Sequence, residues 1–279
     1  LAGFTKGQAD KLRKAMGKKQ LAVMEELKVL FFEGGVKNGH PEATLNKIWE
    51  DWKKFAQYAF NKSHATCYAW VGYQTGYLKA HYPAEYMSAV LSNNMNNMDE
   101  IAKFMDDIKK HDIKILGPDV NESFTQFTVN KQGNVRFGMA GIKGIGENAV
   151  NSVIQEREAN GIYKDVFDFI ERVNLTTVNK KGIESLVGSG AFDCFQEVNR
   201  GTFAVDLGKG ETFADILLRY GNKFQKNSSD ASTSLFGGDA AVQTARPMLP
   251  ITPELNQLEV LKKEKELVGM YLSSHPLDT

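Results

Sequence analysis

Two Gly-x-Gly pairs limit the folds open to this chain more than any other sequence feature. The first pair spans Gly144 and Gly146 and leads into a helical apolar pattern over about 147–158, and the second spans Gly188 and Gly190. Paired glycines at helix ends allow backbone angles and close approaches that a Cβ prevents. The sequence therefore predicts tight turns beside helices at both places, within a fold that is mainly α.

Both turns are candidates for helix-hairpin-helix motifs that bind DNA. In such a motif the backbone N–H groups of the turn face a phosphate, so the contact positions the duplex without reading its sequence. The alternative is that both pairs are tight turns with no ligand. The hypothesis assigns DNA contact to Lys143, Gly144, Ile145 and Gly146 in the first copy and to Lys180, Lys181, Gly188 and Gly190 in the second.

The first pair also fits the pattern G-x-G-x-x-A of a dinucleotide-binding loop, which Ala149 completes. That loop requires a second parallel strand after the helix, with an acidic residue near its end. The apolar residues that follow, Tyr163, Val166 and Ile170, have helical spacing instead. The pattern therefore favours the hairpin over a nicotinamide site.

Strand patterns are confined to one region. Residues 124–129 and 135–137 alternate between apolar and polar, and the polar run 130–134 separates them. This predicts one small β-hairpin in a mainly helical chain.

The amino-terminal segment carries a local positive charge, although the whole chain has 34 basic and 34 acidic residues. Such a cluster is a candidate phosphate contact or a solvated helix face. Against Asp10 alone, residues 1–20 contain Lys6, Lys11, Arg13, Lys14, Lys18 and Lys19.

Helix signals fill this half of the chain. A capping box, Thr5-x-x-Gln8, predicts a helix from Lys6 to near Gly17. Further helices are predicted over about 20–33, where Gly34-Gly35 marks the end or a break, and over about 41–55, where Trp49 and Trp52 fit a core better than a base-stacking surface. Another starts near Ser63 and reaches about 80, with Lys62 and His64 at a helix start that favours phosphate.

Composition excludes several classes of protein. The two cysteines, Cys67 and Cys194, stand alone, which indicates a reducing cytoplasm and no zinc module. No apolar run has the roughly 18–20 residues of a membrane span. The five histidines have no metal-site spacing. A chain without an initial Met is expected to be a piece of a longer protein.

Several motifs in one order resemble a known family. They are Leu12 to Lys19, Phe60 to His64, Leu78 to Glu85, Ile113 to Asn121 and Gly144 to Glu147. Together they are similar to the fingers and helix-hairpin-helix region of the C-family replicative polymerases, the alpha subunits of bacterial DNA polymerase III. The resemblance is dense over residues 1 to about 195 and loose beyond.

The resemblance implies functions for individual residues. The basic finger residues Arg13, Lys14, Lys18 and Lys19, with Asn61, Lys62 and His64, would contact the incoming deoxynucleoside triphosphate and the primer-template. The family is a DNA-directed DNA polymerase whose palm aspartates hold Mg²⁺. This chain has no Asp-x-Asp, so the resemblance implies no catalytic residue, metal or cofactor here, and an inactive fragment.

The carboxyl-terminal part is predicted to be a flexible linker over 227–252, because it is small, polar and Gly-rich. Within it, Leu235 and Phe236 resemble the family's sliding-clamp-binding motif, with Ser232 in place of Gln, or else pack back onto the body. The predicted domains are fingers (1–96), tandem helix-hairpin-helix (97–226), linker (227–252) and a helix leading to an OB-fold outside the chain (253–279).

Two functions remain open on the sequence. The first is a polymerase segment that binds duplex and primer-template DNA, nucleotide and sliding clamp, with other replicase subunits bound by regions outside this chain and no contact with a membrane. The second is a non-catalytic DNA-repair or scaffold module that uses the same glycine hairpins. Only the first expects a nucleoside triphosphate to affect residues 60–64.

Overall fold

The computed structural model describes residues 1–58, 62–95, 97–208, 210–233, 244–274 and 276–277. These residues are mainly helical with a small sheet, as predicted. The chain divides into two compact units, Leu1–Gly76 and Tyr77–Thr279. The sequence placed its first boundary after residue 96, whereas the compact division falls earlier in the chain.

Helices make up the first unit. The capping box is present: the Thr5 hydroxyl accepts a hydrogen bond from the Gln8 N–H at 3.2 Å, and the Gln8 side chain accepts one from the Thr5 N–H at 2.9 Å. The first helix therefore begins where the sequence predicts. The helices are α1 (Lys6–Gly17), α2 (Leu21–Lys37), α3 (Glu42–Tyr58) and most of α4 (Lys62–His81).

Helix α2 continues through Gly34 and Gly35, so the predicted end at this pair is wrong. A Cβ at Gly35 would lie 2.6 Å from the Leu45 side chain, and one at Gly34 would collide with the Ala2 carbonyl. The two glycines therefore let neighbouring segments approach α2 closely. The helix ends instead at Lys37, where Gly39 has a φ of +79° and its N–H donates to the Val36 carbonyl at 2.9 Å.

Aromatic rings form the core of the first unit. Phe31 lies 5.4 Å from Trp49 and 4.9 Å from Trp52, measured between ring centroids. Trp49 is only 1% exposed. The interpretation of these tryptophans as core residues is therefore confirmed for Trp49, while Trp52 is partly buried at the edge of the same cluster.

The second unit combines helices with a three-stranded sheet of order β1-β3-β2. Strand β2 (Thr128–Val129) pairs antiparallel with β3 (Val135–Arg136), which confirms the predicted hairpin, although its strands are shorter than predicted. Strand β1 (Ile115–Leu116) pairs parallel with β3 and was not predicted. Two residues are too few to show an alternating pattern.

The helices of this unit pack around one apolar core, in which Phe169 lies 4.8 Å from both Tyr163 and Phe192. Helix α10 contacts α8 and α9, and α11 contacts α9. The helices are α5 (Pro83–Asn93), α6 (Met98–Lys109), α7 (Glu147–Asn160), α8 (Val166–Arg172), α9 (Lys180–Gly188), α10 (Phe213–Thr233) and α11 (Gln257–Val268).

The predicted linker is partly helical, because α10 runs to Thr233 and so includes its first residues. Residues 244–256 have no helix or strand. In the part of the chain that is described, no helix is both long and apolar enough to cross a membrane.

Candidate nucleic-acid interface

The first Gly-x-Gly pair forms an exposed turn immediately before α7. Gly144 has a φ of +93°, which favours glycine, and Gly146 is the N-cap residue of α7. A short 3₁₀ turn, Met139–Gly141, precedes it instead of a full helix. Ile145 is 8% exposed and anchors the turn in the core. Residues 143–148 are called the glycine turn below.

Most backbone N–H groups of the glycine turn are free to bind a ligand, whereas that of Lys143 donates to the Leu267 carbonyl at 2.8 Å. Among the described residues, no hydrogen bond is made by the N–H groups of residues 144–148, four of which are in exposed residues. The first N–H groups of a helix have no partner within the helix, and together they carry a partial positive charge. The geometry therefore suits an anion such as a phosphate.

Helix α9 begins beside the glycine turn. A Cβ built on Gly144 would collide with the Ser185 hydroxyl and lie 3.4 Å from Lys181 Cε, and one on Gly182 would lie 3.9 Å from Ile145. The amino-terminal ends of α7 and α9 are therefore neighbours. Both Lys143 and Lys181 are exposed, and neither is in an ion pair within the described residues.

A buried arginine fixes α7 against the segment that connects β1 to β2. Arg157 is 7% exposed, and its Nη1 donates to the carbonyl oxygens of Val120 and Ser123, both at 2.9 Å. Burial lowers the pKa of the guanidinium. Since buried carbonyls need donors, these bonds hold the helix that carries the glycine turn in place.

Lys180 differs from the neighbouring lysines because it is held by Asp215, whose Oδ1 lies 2.7 Å from the ammonium nitrogen. The hydrogen bond from Lys180, with two more from Thr212, lowers the pKa of Asp215 to about 2. The same bond raises the pKa of Lys180. The structure thus gives Lys180 a partner within the protein, whereas its predicted role was DNA contact.

The second Gly-x-Gly pair is not a hairpin between two helices, and this prediction is corrected. Gly188 ends α9, and Gly190, with a φ of +88°, forms the helix stop. The Gly190 N–H donates to the Val187 carbonyl at 3.0 Å and the Ala191 N–H to the Leu186 carbonyl at 2.8 Å. This bond pair is a Schellman motif.

Both of these glycines are buried, which explains the spacing without a ligand. A Cβ at Gly188 would lie 2.6 Å from Leu267 Cδ1, and one at Gly190 would collide with Arg200. Turns instead of a helix follow at 191–194. The pair therefore serves packing, which was the alternative interpretation.

The structure shows a different helix pair next to the glycine turn, namely α8 and α9, joined by residues 173–179. Asn174 accepts a hydrogen bond from the Thr176 N–H at 2.9 Å, and Asn179 caps α9 through the Gly182 N–H at 3.0 Å. This connection contains no glycine, so a search for Gly-x-Gly spacing misses it. The sequence signal that could have predicted the start of α9 is Asn179, an N-cap residue directly before Lys180-Lys181.

The basic finger residues lie at α1 and just after it, in the first unit. Asp10 lies 2.8 Å from both Arg13 and Lys14, and these two side chains, Lys14 first, lower its pKa. Lys18 and Lys19 are exposed and follow the last turn of α1. Two of these four cations therefore share one carboxylate, which compensates a single positive charge.

The other predicted site residues are only partly described. Lys62 and His64 lie in the first turn of α4, and the His64 ring is 4.3 Å from that of Tyr68. Asn61, Leu235 and Phe236 lie outside the described residues.

Two family models match this chain. Residues 112–203 match a helix-hairpin-helix motif, and residues 1–39 match the bacterial DNA polymerase III alpha subunit finger domain. The first match contains both the glycine turn and the α8–α9 pair. The chain is therefore similar to part of a polymerase finger domain followed by a helix-hairpin-helix region.

Curated relatives of this chain are alpha subunits of DNA polymerase III. The chain is 37% identical to DNA polymerase III subunit alpha of Aquifex aeolicus, 39% to that of Haemophilus influenzae and 40% to that of Borreliella burgdorferi. The matches cover 99–100% of the chain but only 22–24% of each relative. The predicted resemblance to the bacterial DNA polymerase III alpha subunit is confirmed, and the chain spans less than a quarter of these relatives.

Proposed function

We propose that this chain is the finger and helix-hairpin-helix segment of a replicative DNA polymerase III alpha subunit, and that its glycine turn binds a phosphate of duplex DNA. The observation that carries the proposal is the row of unbonded N–H groups at residues 144–148, with Lys143 and Lys181 exposed beside it. A helix start between two cations attracts a phosphate and tolerates any base sequence. A replicative polymerase needs such sequence-independent contact.

The whole protein would carry out template-directed DNA synthesis in the cytoplasm. Mg²⁺ bound by clustered carboxylates would supply the phosphoryl-transfer chemistry. The described residues contain no group of three or more His, Cys, Asp or Glu side chains suited to a metal. Because the sequence has no Asp-x-Asp, we assign no catalytic step to this chain and propose that its contribution is binding.

Nucleotide and clamp contacts belong to the same proposal. Lys18 and Lys19 are the exposed finger cations without a carboxylate partner in the described residues, so they are the better candidates for the triphosphate. Arg13 and Lys14 would first have to leave Asp10. Leu235 and Phe236 are proposed to bind the sliding clamp on the resemblance alone.

Binding of a fluorescent duplex across a salt series tests the proposal. We expect Lys143→Ala/Lys181→Ala to weaken binding and to reduce the slope of log affinity against log salt by about 2, because each lost phosphate contact removes about 0.9. The control is Lys131→Ala/Lys164→Ala, which removes the same charge from exposed positions elsewhere in the second unit. Equal slopes for the two variants would contradict the proposed site.

The alternative, a non-catalytic DNA-binding module, has the same glycine turn but needs no nucleotide. The finger-domain match over residues 1–39 favours the polymerase. Primer extension by the full-length protein with Mg²⁺ separates the two, because only the polymerase extends a primer.

A further inference from the structure

Helix α4 buries none of its side chains among the described residues, although it is 20 residues long. In its part within the first unit, Tyr68, Trp70 and Tyr73 are 65%, 63% and 67% exposed. The rings of Trp70 and Tyr73 stack on each other, with their centroids 6.4 Å apart. Large aromatic side chains are rarely left exposed together unless they form a binding surface.

The apolar residues are also distributed around the helix. Val71 is 53% exposed and lies about 100° from Trp70, and successive apolar residues do not gather on one face. A helix at a protein surface has a polar side, whereas a helix that is apolar on all sides is buried. The pattern of α4 is therefore that of a buried helix.

The lack of charged side chains on α4 indicates which kind of partner covers this helix. From Ser63 to Leu78 the chain has no Lys, Arg, Asp or Glu. A surface that stacks the bases of single-stranded nucleic acid combines its aromatics with cations that follow the backbone. The centre of a protein interface is instead aromatic and depleted of charge. The composition of α4 fits a protein surface and not a nucleic acid.

Small residues show that the partner can come close. Ala65, Ala69, Gly72 and Gly76 follow each other at spacings of four, three and four, which places them on one side of the helix. A Cβ at Gly72 or Gly76 would have no atom within 4 Å. This side is therefore open to backbone of another element, while the aromatic side chains project elsewhere.

We infer that residues 65–76 of α4 are an interface, covered by apolar polypeptide of the same protein that lies outside this chain. The inference rests on the proposed function, in which the chain is part of a polypeptide as long as the relatives that it covers to 22–24%. Polypeptide of that length supplies more than enough apolar surface. Helix α4 is then an internal helix of the whole subunit.

Labelling of Cys67 with iodoacetamide, followed peptide by peptide with mass spectrometry, tests the inference. Cys67 is exposed and lies within this interface. We expect its labelling to be at least about tenfold slower in the full-length subunit than in the isolated chain, because a covered thiol reacts slowly. The internal control is Cys194, which is also exposed and whose thiol pKa is raised to about 12, chiefly by desolvation. Its labelling rate should be the same in both proteins.

A pair of variants gives a second readout. We expect Trp70→Ala/Tyr73→Ala to lower the melting temperature of the full-length subunit and to leave that of the isolated chain unchanged. Ile162→Ala, which truncates a side chain that is 66% exposed in the second unit, should change neither.

Three results would overturn the inference. Equal labelling of Cys67 in both proteins would show that α4 stays uncovered. Slow labelling in an isolated chain that has dimerised would identify a second copy as the partner, and slow labelling only after primer-template is added would identify DNA. Primer extension by the same full-length sample keeps these results separate from a failure of the proposed function.

Discussion

Gly144 and Gly146 are two residues apart, but their structural requirements differ. Gly144 combines a φ of +93° with a position at which a Cβ would collide with Ser185, whereas Gly146 has a φ of −83° and open space around it. The sequence pattern does not distinguish the two glycines, because it contains their spacing but not their backbone angles.

We therefore expect Gly144→Ala to destabilise the fold by about 1–3 kcal/mol, since an L-residue is strained at this φ. Gly146→Ala should cost less than about 1 kcal/mol, the typical difference between residues at a helix N-cap. Urea unfolding followed by circular dichroism measures both. Equal costs would mean that the turn does not have this geometry. Gly146→Ala is then the substitution suited to probing ligand approach in a folded protein.

At the scale of helices and strands, local signals were predicted well and packing was not. The capping box at Thr5 fixes the start of α1 through atoms three residues apart. Helix α2 ends at the local stop Gly39 and not at Gly34-Gly35, where the two glycines instead give room to Ala2 and Leu45. Such contacts form only when the chain folds, so no local pattern contains them.

At the candidate site, too, local features were predicted and contacts between distant residues were not. The glycine turn was predicted because its glycines, its lysine and the following helix are adjacent in the sequence. The pair at Gly188 and Gly190 has the same spacing but forms a Schellman motif under Leu267 and Arg200. The contact of Lys180 with Asp215, 35 residues away, also could not be predicted locally.

The Lys180–Asp215 contact predicts that the free energy of unfolding depends on pH. A carboxylate whose pKa is lowered in the folded state stabilises that state above its unfolded value, about 4, and this contribution is lost as the pH falls towards about 2. We expect Asp215→Asn to lower the free energy of unfolding at pH 6 and to lose this deficit near pH 2. Glu158→Gln, at an exposed carboxylate on α7, serves as the matched control.

Unfolding by urea at pH 6, 4 and 2 measures this effect. A deficit of Asp215→Asn that stays constant over this range would show that Asp215 carries no shifted pKa. Lys180→Ala should reproduce the loss of stability at pH 6 while affecting DNA affinity less than Lys181→Ala does.

At the scale of the whole molecule, the two units carry separate parts of one proposed activity. The first unit contains the finger residues and most of the uncovered helix α4, and the second contains the helix-hairpin-helix match with its glycine turn. Each unit has its own apolar core, which explains how a segment of less than a quarter of its relatives' length has a compact structure.

The central claim is that DNA contacts the glycine turn, and backbone amide NMR during titration with a short duplex tests it most directly. We predict that the amide signals of residues 144–148 and Lys181 shift most, that those of Gly188 and Gly190 shift little, and that high salt reverses the changes. Unchanged signals at residues 144–148, with the largest shifts at Lys18 and Lys19 or elsewhere, would contradict the account.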